Sequence, residues 1–483
     1  MPRDNELFIG GEWVKPAGSA TIEVVSPHTE QVIGVVPEAV EADVDKAVDA
    51  ARRLFDSGVY EAMGAPERGA ALGRLSMSLL GLMDDAAKLI ASEMGSPYSW
   101  AMMGQVLSTT MVADYYVGLA QTYEFERISQ GVMGPVARRR EPIGVVGAIV
   151  PWNVPMFTAM LKLAPAVIAG CPVVLKPAPE TPLSTNMLAE LWAEAGFPEG
   201  SLSVLPAGRE VGEYLVTHPG IDKVAFTGST AAGRRIAALC GERLRRFTLE
   251  LGGKSAAIVL DDANLATAIP EIVGAGLMNN GQACVAQTRI LAPRSSYGEV
   301  VDALEAQFRA QVVGDPLDPA TTIGPLVARR QQERVESYIA KGIGEGARVV
   351  AGGAQSSQPT GWYVEPTLFA DVDNKMTIAQ EEIFGPVLSV IPYDTVDEAV
   401  AIANDSDYGL SGSVFSADPH RGLDVARRVR TGTTNVNTFM LEFSAPFGGY
   451  KDSGMGRELG EQGLEAYLES KSICLPADFP LPE

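Results

Sequence analysis

The chain has 483 residues, enough for about two to four domains, and its 46 % apolar and 20 % charged content is that of a soluble globular protein. Thirty-eight Lys and Arg against 60 Asp and Glu give a formal charge of −22, which argues against nucleic acid or anionic lipid as partners and leaves any anionic ligand to local backbone N–H groups and helix ends. The four cysteines are scattered with no CxxC pair, so neither a disulfide framework nor a metal site is expected. Residues 1–13 lack a secretory pattern, and the longest apolar stretch, 159–175, is broken by Lys162, Pro165 and Pro172. A cytoplasmic protein with no membrane span is therefore expected.

In chain order, residues 7–14 read as a hairpin, two short β-rich runs joined by Gly10-Gly11. Val44, Ala47, Val48, Ala51 and Leu54 fall at helical spacing within 42–55, and a second helical stretch is expected over 66–94. Met77, Met83, Met102 and Met103 read as core filler. After Pro142 short apolar runs alternate with turns and helices, at 145–150, 172–175, 202–205, 223–226 and 256–260. This alternation predicts a parallel sheet with helices on both faces. A second series follows Cys284, at 288–291, 387–391, 412–415 and 433–436. The expected fold is α/β, with two Rossmann-like doubly wound domains and the chemistry at their junction. Segments 123–140 and 471–475 fit neither sheet, and pairing across a subunit boundary is expected of them.

Cys284 stands in Asn279-Asn280-Gly281-Gln282-Ala283-Cys284-Val285, and Glu250 lies 34 residues upstream in Leu249-Glu250-Leu251-Gly252-Gly253-Lys254. A free cysteine is most often a small buried hydrophobe. Here Gly281 and the amides of Asn279, Asn280, Gln282 and Gln287 make a polar loop that suits an exposed nucleophile instead. The three histidines, His28, His218 and His420, each adjoin a proline and read as surface loop positions. A glutamate is therefore the better candidate for a base. Asp261 and Asp262, just after a strand, read as turn and helix-cap residues.

Three further motifs sit where strands end. Phe226-Thr227-Gly228-Ser229-Thr230-Ala231-Ala232-Gly233 joins a predicted strand to a predicted helix, where Gly228 and Gly233 would let the backbone approach a phosphate, although Gly-Ser-Thr at such a turn is as often only a cap. Lys176 closes the strand before Pro177-Ala178-Pro179-Glu180, at the edge where an open α/β sheet forms its ligand crevice, although a lysine there is as often simply a solvated surface residue. Asn153, between Pro151 and Pro155, offers an amide N–H to an oxyanion, or is simply a turn residue.

Taken in order, these motifs resemble the NAD(P)-dependent aldehyde dehydrogenases of the non-acylating kind. The resemblance runs from Phe8-Ile9-Gly10-Gly11 through Gln380-Glu381-Glu382-Ile383-Phe384-Gly385-Pro386 to Pro446-Phe447-Gly448-Gly449-Tyr450-Lys451 and Ser453-Gly454. It implies that Cys284 attacks an aldehyde, that Asn153 and the Cys284 N–H hold the oxyanion, and that Glu250 activates the water that hydrolyses a thioester. It implies a cofactor site built from Ile149, Val150, Pro151, Trp152, Lys176, Gly208, Gly212, Phe226, Gly228, Ser229, Leu251, Gly252, Glu382 and Phe384. Within it Lys176 meets a ribose, Ser229 the pyrophosphate and Glu382 the nicotinamide ribose. The implied division is a cofactor domain of residues 1–123 and 143–252, a catalytic domain of 253–445, an oligomerisation arm and tail of 124–142 and 465–483, and a return of 446–464 toward the cofactor domain. A homo-oligomer, dimer or tetramer, is implied with it.

Many family members carry a glutamate three residues after the lysine, where Pro179 stands here. NAD remains preferred, since no arginine adjoins Lys176 in sequence, and NADP is not excluded. The implied substrate wall is Val154, Phe157, Leu161, Ala283, Val285 and Phe447, apolar and not dominated by aromatics, which suits an alkyl, terpenoid or aryl aldehyde. Two alternatives stand beside this reading: a coenzyme A-acylating semialdehyde dehydrogenase, which generally lacks the glutamate, and an inactive structural or binding homologue.

Overall fold

The computed structural model describes residues 5–353, 356 and 358–482, so the expected domain limits at 1 and 483, and the first four residues of the N-terminal segment, lie outside them. The predicted α/β fold is present as two large doubly wound sheets, accompanied among the described residues by a three-stranded sheet and two two-stranded ones. In the first sheet, Val146–Ile149, Val173–Lys176, Leu202–Val204, Lys223–Thr227 and Arg246–Glu250 run parallel. From Val146–Ile149 the chain adds Val173–Lys176 and Leu202–Val204 on one side, then Lys223–Thr227 and Arg246–Glu250 on the other. The order reverses between Val146–Ile149 and Lys223–Thr227, where loops diverge and leave a crevice at the carboxyl ends.

The predicted hairpin, Leu7–Ile9 and Glu12–Val14, extends one edge of this sheet through Phe8 against Val204. Its turn needs both glycines, with φ of 66° at Gly10 and 99° at Gly11. At the opposite edge Gly454–Met455 pairs antiparallel with Leu249 and Glu250. The helix Pro155–Ala169 is buried on every side, which is why its sequence is apolar throughout and shows no amphipathic period.

The second sheet is built around Ala256–Val259, with Arg289–Pro293, Val387–Tyr393 and Thr367–Ala370 on one side and Gly412–Phe415 and Asn435–Val436 on the other. All these neighbours are parallel. Residues 251–255 lead from the carboxyl edge of the first sheet to the amino edge of the second. The two sheets therefore meet edge to edge, and the loops before Arg289–Pro293 and Val387–Tyr393 face the crevice.

Several expectations are corrected. The helical stretch 66–94 breaks at Leu82, where ψ of 19° separates Ala65–Gly81 from Met83–Met94. Met77 and Met103 lie on outward helix faces, 71 % and 58 % exposed, so only Met83 and Met102 of the four act as core filler. The arm and tail do fit neither large sheet, as expected, and within the chain they also pair with each other: Glu126–Gln130, Pro135–Pro142 and Leu468–Cys474 form a three-stranded antiparallel sheet. The cap of the helix Leu265–Leu277 is Asn264; Asp262 instead accepts the Ser416 hydroxyl at 2.8 Å and pairs with Arg421. His28 and His218 are half-buried, the first hydrogen-bonded to Tyr363 and the second 3.3 Å from Asp45. Among the described residues no helix is long and apolar enough to cross a membrane.

Arg289, only 2 % exposed, ties the crossing to the second sheet. It donates to the carbonyls of Lys254, Ile402 and Ala403 and to the Asn374 side chain. Arg289→Met strands four acceptors, three of them buried, and is expected to cost about 3–5 kcal/mol, read as a fall in the urea midpoint with an unchanged slope.

Candidate active site

The loop carrying Cys284 is fixed by its backbone. Asn279, Asn280 and Gly281 take successive left-handed conformations, with φ of 52°, 61° and 72°. Asparagine and glycine tolerate that region best, which explains why these residue types stand here. The amides are not an exposed polar surround, as the sequence suggested: Asn279, Asn280, Gln282 and Gln287 are 0–2 % exposed. They replace secondary structure as backbone partners. Asn280 donates to the carbonyls of Gly95 and Pro325 at 2.8 and 3.0 Å and accepts from Gly324 N–H at 2.7 Å. Gln282 accepts from Val327 N–H, and Asn279 donates to the Asn153 carbonyl at 2.8 Å.

Cys284 and Asn153 meet in a crevice of about 300 Å³ with Pro151, Trp152, Val154, Gly228, Ser229, Leu251, Gly252, Glu382 and Phe384. Thr227, Gln331 and Arg334 join it, and the sequence reading missed all three. Arg334 donates to the Glu382 carbonyl at 2.6 Å and Gln331 to that of Phe384 at 2.7 Å. Phe384, at φ 64°, stands edge-on to Trp152 with ring centroids 5.3 Å apart. The helix Thr230–Glu242 opens at this crevice, and Ser229 caps it by accepting from Ala232 N–H at 3.3 Å. Its free N–H groups and dipole suit a diphosphate. Gly228 lies over the Phe226 ring, while Gly233 serves packing rather than phosphate approach: a Cβ there would lie 2.5 Å from the Leu251 side chain.

Ile149 and Phe226, in strands, and Val150, just past a strand end, are buried beneath the crevice and do not line it. Lys176, Gly208 and Gly212 form a separate group at the next strand end. Lys176 donates to the Ala207 carbonyl at 2.7 Å, its stem lying against Gly212. Burial lowers its pKa to about 8, against the opposing pull of Glu180 and Glu38.

A second cavity, about 320 Å³, shares Cys284, Asn153 and Val154 with the first. Glu250 enters here, together with the expected wall residues Phe157, Leu161, Ala283, Val285 and Phe447. Trp100, Phe439 and Phe443 also line it, so the wall is richer in aromatics than the motif positions indicated. Nothing near the motifs signals these residues, which arrive from distant segments.

The electrostatics of this end are set by burial. Both carboxylate oxygens of Glu250 are buried without a hydrogen-bond partner. Burial and then Glu458 hold its pKa well above the usual carboxylate range, with Lys162 and Arg457 pulling the other way. Lys162, buried and also unmarked in sequence, bridges Glu458 at 2.7 Å and Thr227 at 2.6 Å. Cys284 is half-exposed as a residue, yet desolvation, Glu382 and Glu250 push its thiol up to about 12. Glu382 itself accepts from Gly253 N–H at 2.9 Å.

These features combine a cysteine, a desolvated carboxylate and an amide around one small space beside an anion-suited helix end. The family model for aldehyde dehydrogenases matches residues 13–473. The chain belongs to the aldehyde dehydrogenase family. Geranial dehydrogenase of Castellaniella defragrans is 46 % identical over 470 residues, covering 97 % of this chain and 98 % of that protein. An aldehyde dehydrogenase of Mycobacterium tuberculosis, solved with NAD+, superposes with a TM-score of 0.97 at 50 % identity over 99 % of both chains. An aldehyde dehydrogenase of Pseudomonas syringae, solved with NAD+ and octanal, superposes at 0.96 with 41 % identity over 99 % of both. The protein is thus an oxidoreductase acting on aldehydes.

With Glu382 the largest charge acting on the thiol, Glu382→Gln is expected to lower the apparent pKa of Cys284. Peptide-resolved iodoacetamide labelling across pH 7 to pH 10 checks this: the variant should reach a given labelling rate at lower pH than the wild type.

Proposed function

We propose that this dehydrogenase oxidises hydrophobic alkyl, terpenoid or aryl aldehydes to carboxylic acids with NAD, through a thiohemiacetal and then a thioester on Cys284. The observation that carries the reading is the convergence of Cys284, Glu250 and Asn153 on one cavity whose other walls are mainly apolar. When bound, NAD brings a positively charged ring that favours the thiolate and accepts the hydride.

The chain's own residues supply the rest. The Cys284 sulfur forms a bond to the carbonyl carbon, and the oxygen becomes an oxyanion. Asn153 already donates one N–H to the Gln282 carbonyl at 2.9 Å, leaving its second for that oxygen, beside the Cys284 backbone N–H. Glu250, once ionised, takes a proton from water as the hydroxyl attacks the thioester, and the C–S bond breaks to release the acid. The Lys162–Glu458 pair tunes that carboxylate, since Lys162 favours its charged form and Glu458 opposes it.

Cofactor-binding roles for Lys176, Ser229, Glu382, Trp152 and Phe384 form part of the same proposal. Glu38 and Glu180 both bring negative charge toward Lys176, but Glu180 is itself paired with Arg330, so Glu38 is the carboxylate that disfavours a 2′-phosphate and supports NAD over NADP. The substrate class is supported by the apolar wall and by relatives described with geranial and octanal. A homo-oligomer is supported by the fully exposed Val132 and Met133 at the tip of the Glu126–Gln130 and Pro135–Pro142 hairpin.

Purified protein with NAD and octanal, without coenzyme A, should form reduced nicotinamide and octanoic acid. Cys284→Ala should lower kcat/KM by about 10⁴ or more. Glu250→Gln should keep a burst of one reduced nicotinamide per site while steady turnover falls about 10²–10⁴-fold. Dependence on coenzyme A, or failure of Cys284→Ala to lower activity, overturns the reading.

The pH profile supplies a separate measurement. A base acts only when deprotonated, so activity falls as pH drops through the raised pKa of Glu250. Lys162→Met removes a cation that lowers that pKa, so the acid limb of kcat should move to higher pH, by about one pH unit or more.

A further inference from the structure

Burial gives the second cavity a direction. Glu250 and Glu458, at the reacting end, are each 3 % exposed, whereas Trp100, Gly104, Leu441 and Phe443 are only partly buried and form the outer part. The outer wall includes a segment of unusual geometry. Ala101–Leu107 is a π-helix inserted between Tyr98–Trp100 and Ser108–Thr122. Its wider turn brings residues four apart toward one line, and Trp100, Gly104 and Ser108 all line the cavity. Tyr98 and Met102, on either side of Trp100, instead pack on the hydrophobic core.

The indole of Trp100 lies against bare backbone. A Cβ on Gly104 would stand 2.7 Å from Cε2 and 2.9 Å from Cδ2 of the ring, closer than any unstrained contact allows. Gly104 has no left-handed φ to require a glycine. Close approach of the ring is thus what a side chain there would oppose.

We propose that Trp100, seated on Gly104 by the π-helical turn, is the chain-length-determining wall of the aldehyde passage. Its indole covers the distal carbons of long or branched aldehydes, while short aldehydes react without reaching it. The inference rests on the aldehyde-oxidising reading above and names the element that would set its preference within the hydrophobic class.

The test compares kcat and KM for propanal and octanal in the wild type, Trp100→Ala and Gly104→Ala. Met103→Ala, on the exposed face of the same turn, serves as control, with thermal unfolding to check folding. Loss of binding shared by ground and transition states raises KM and leaves kcat largely unchanged. Trp100→Ala should therefore raise the octanal KM about tenfold and shift the propanal KM less than about twofold, given the apolar area an indole covers. Gly104→Ala should reproduce that split, and Met103→Ala should not. Equal changes for both aldehydes, or an octanal KM unaffected by either Trp100→Ala or Gly104→Ala, would overturn the proposal. If the wild type oxidises neither aldehyde, the oxidation reading itself fails. Octanal binding to the Cys284→Ala protein, by calorimetry, then decides on Trp100: about tenfold weakening in the Trp100→Ala background supports the wall, and none refutes it.

Discussion

The close crossing of backbones at Gly252 and Gly253 is the constraint on which the rest of the site depends. Here the chain leaves the carboxyl edge of one sheet for the amino edge of the next, and side chains from both sides press on it. A Cβ on Gly252 would lie 2.6 Å from the Glu382 carboxylate, and one on Gly253 would run into the Cys284 carbonyl. Ser453, wholly buried, binds the Gly252 carbonyl through its hydroxyl while its own carbonyl takes the Leu251 N–H. Glu250, Cys284 and Glu382 come from three separate segments, and this crossing draws them together. Pre-organisation of that kind is bought with two residues that have no side chain at all.

Burial of charge follows from the same approach. A carboxylate without a hydrogen-bond partner, a second carboxylate beside it and a thiol share a desolvated space with one ammonium group, Lys162, bound to Glu458. Desolvation, the largest influence on both, favours the protonated forms of Glu250 and Cys284. Proton affinity at the site is therefore a property of the whole enclosure. The relevant residues reach it from the helix Pro155–Ala169, the strand Arg246–Glu250 and the segment before Gly460–Glu465.

The second cavity is assembled differently at its two ends. Its inner wall comes from residues next to the motifs, such as Val154 and Ala283. Its outer wall comes from a π-helical turn and from residues 439–443, where aromatic and aliphatic side chains face the same space. Chemistry at one end and shape at the other can thus vary through separate segments, one fixed by hydrogen-bonded amides and the other by apolar packing.

Local pattern determined much of the fold. Short apolar runs alternating with helices specified parallel strands, because a strand covered on both faces must be apolar along its length. The paired glycines specified the hairpin turn; the cysteine stood out for the glycine and amides that flank it, and the asparagine for its place after a strand. What the sequence alone left undecided is whatever depends on distant partners. The amides around Cys284 read as exposed because polar side chains usually are, but long-range backbone partners at Gly95, Pro325 and Val327 make them buried structural ties. Lys162 and Glu458 lie 296 residues apart, and neither has a local pattern that announces an ion pair. Trp100 looks like any helical aromatic until Gly104 and the wider turn set its ring against the second cavity. Periodicity and turn chemistry act over a few residues and can be read in order; the proton affinity of Glu250 and the shape of the second cavity arise from contacts that only the closed tertiary structure creates.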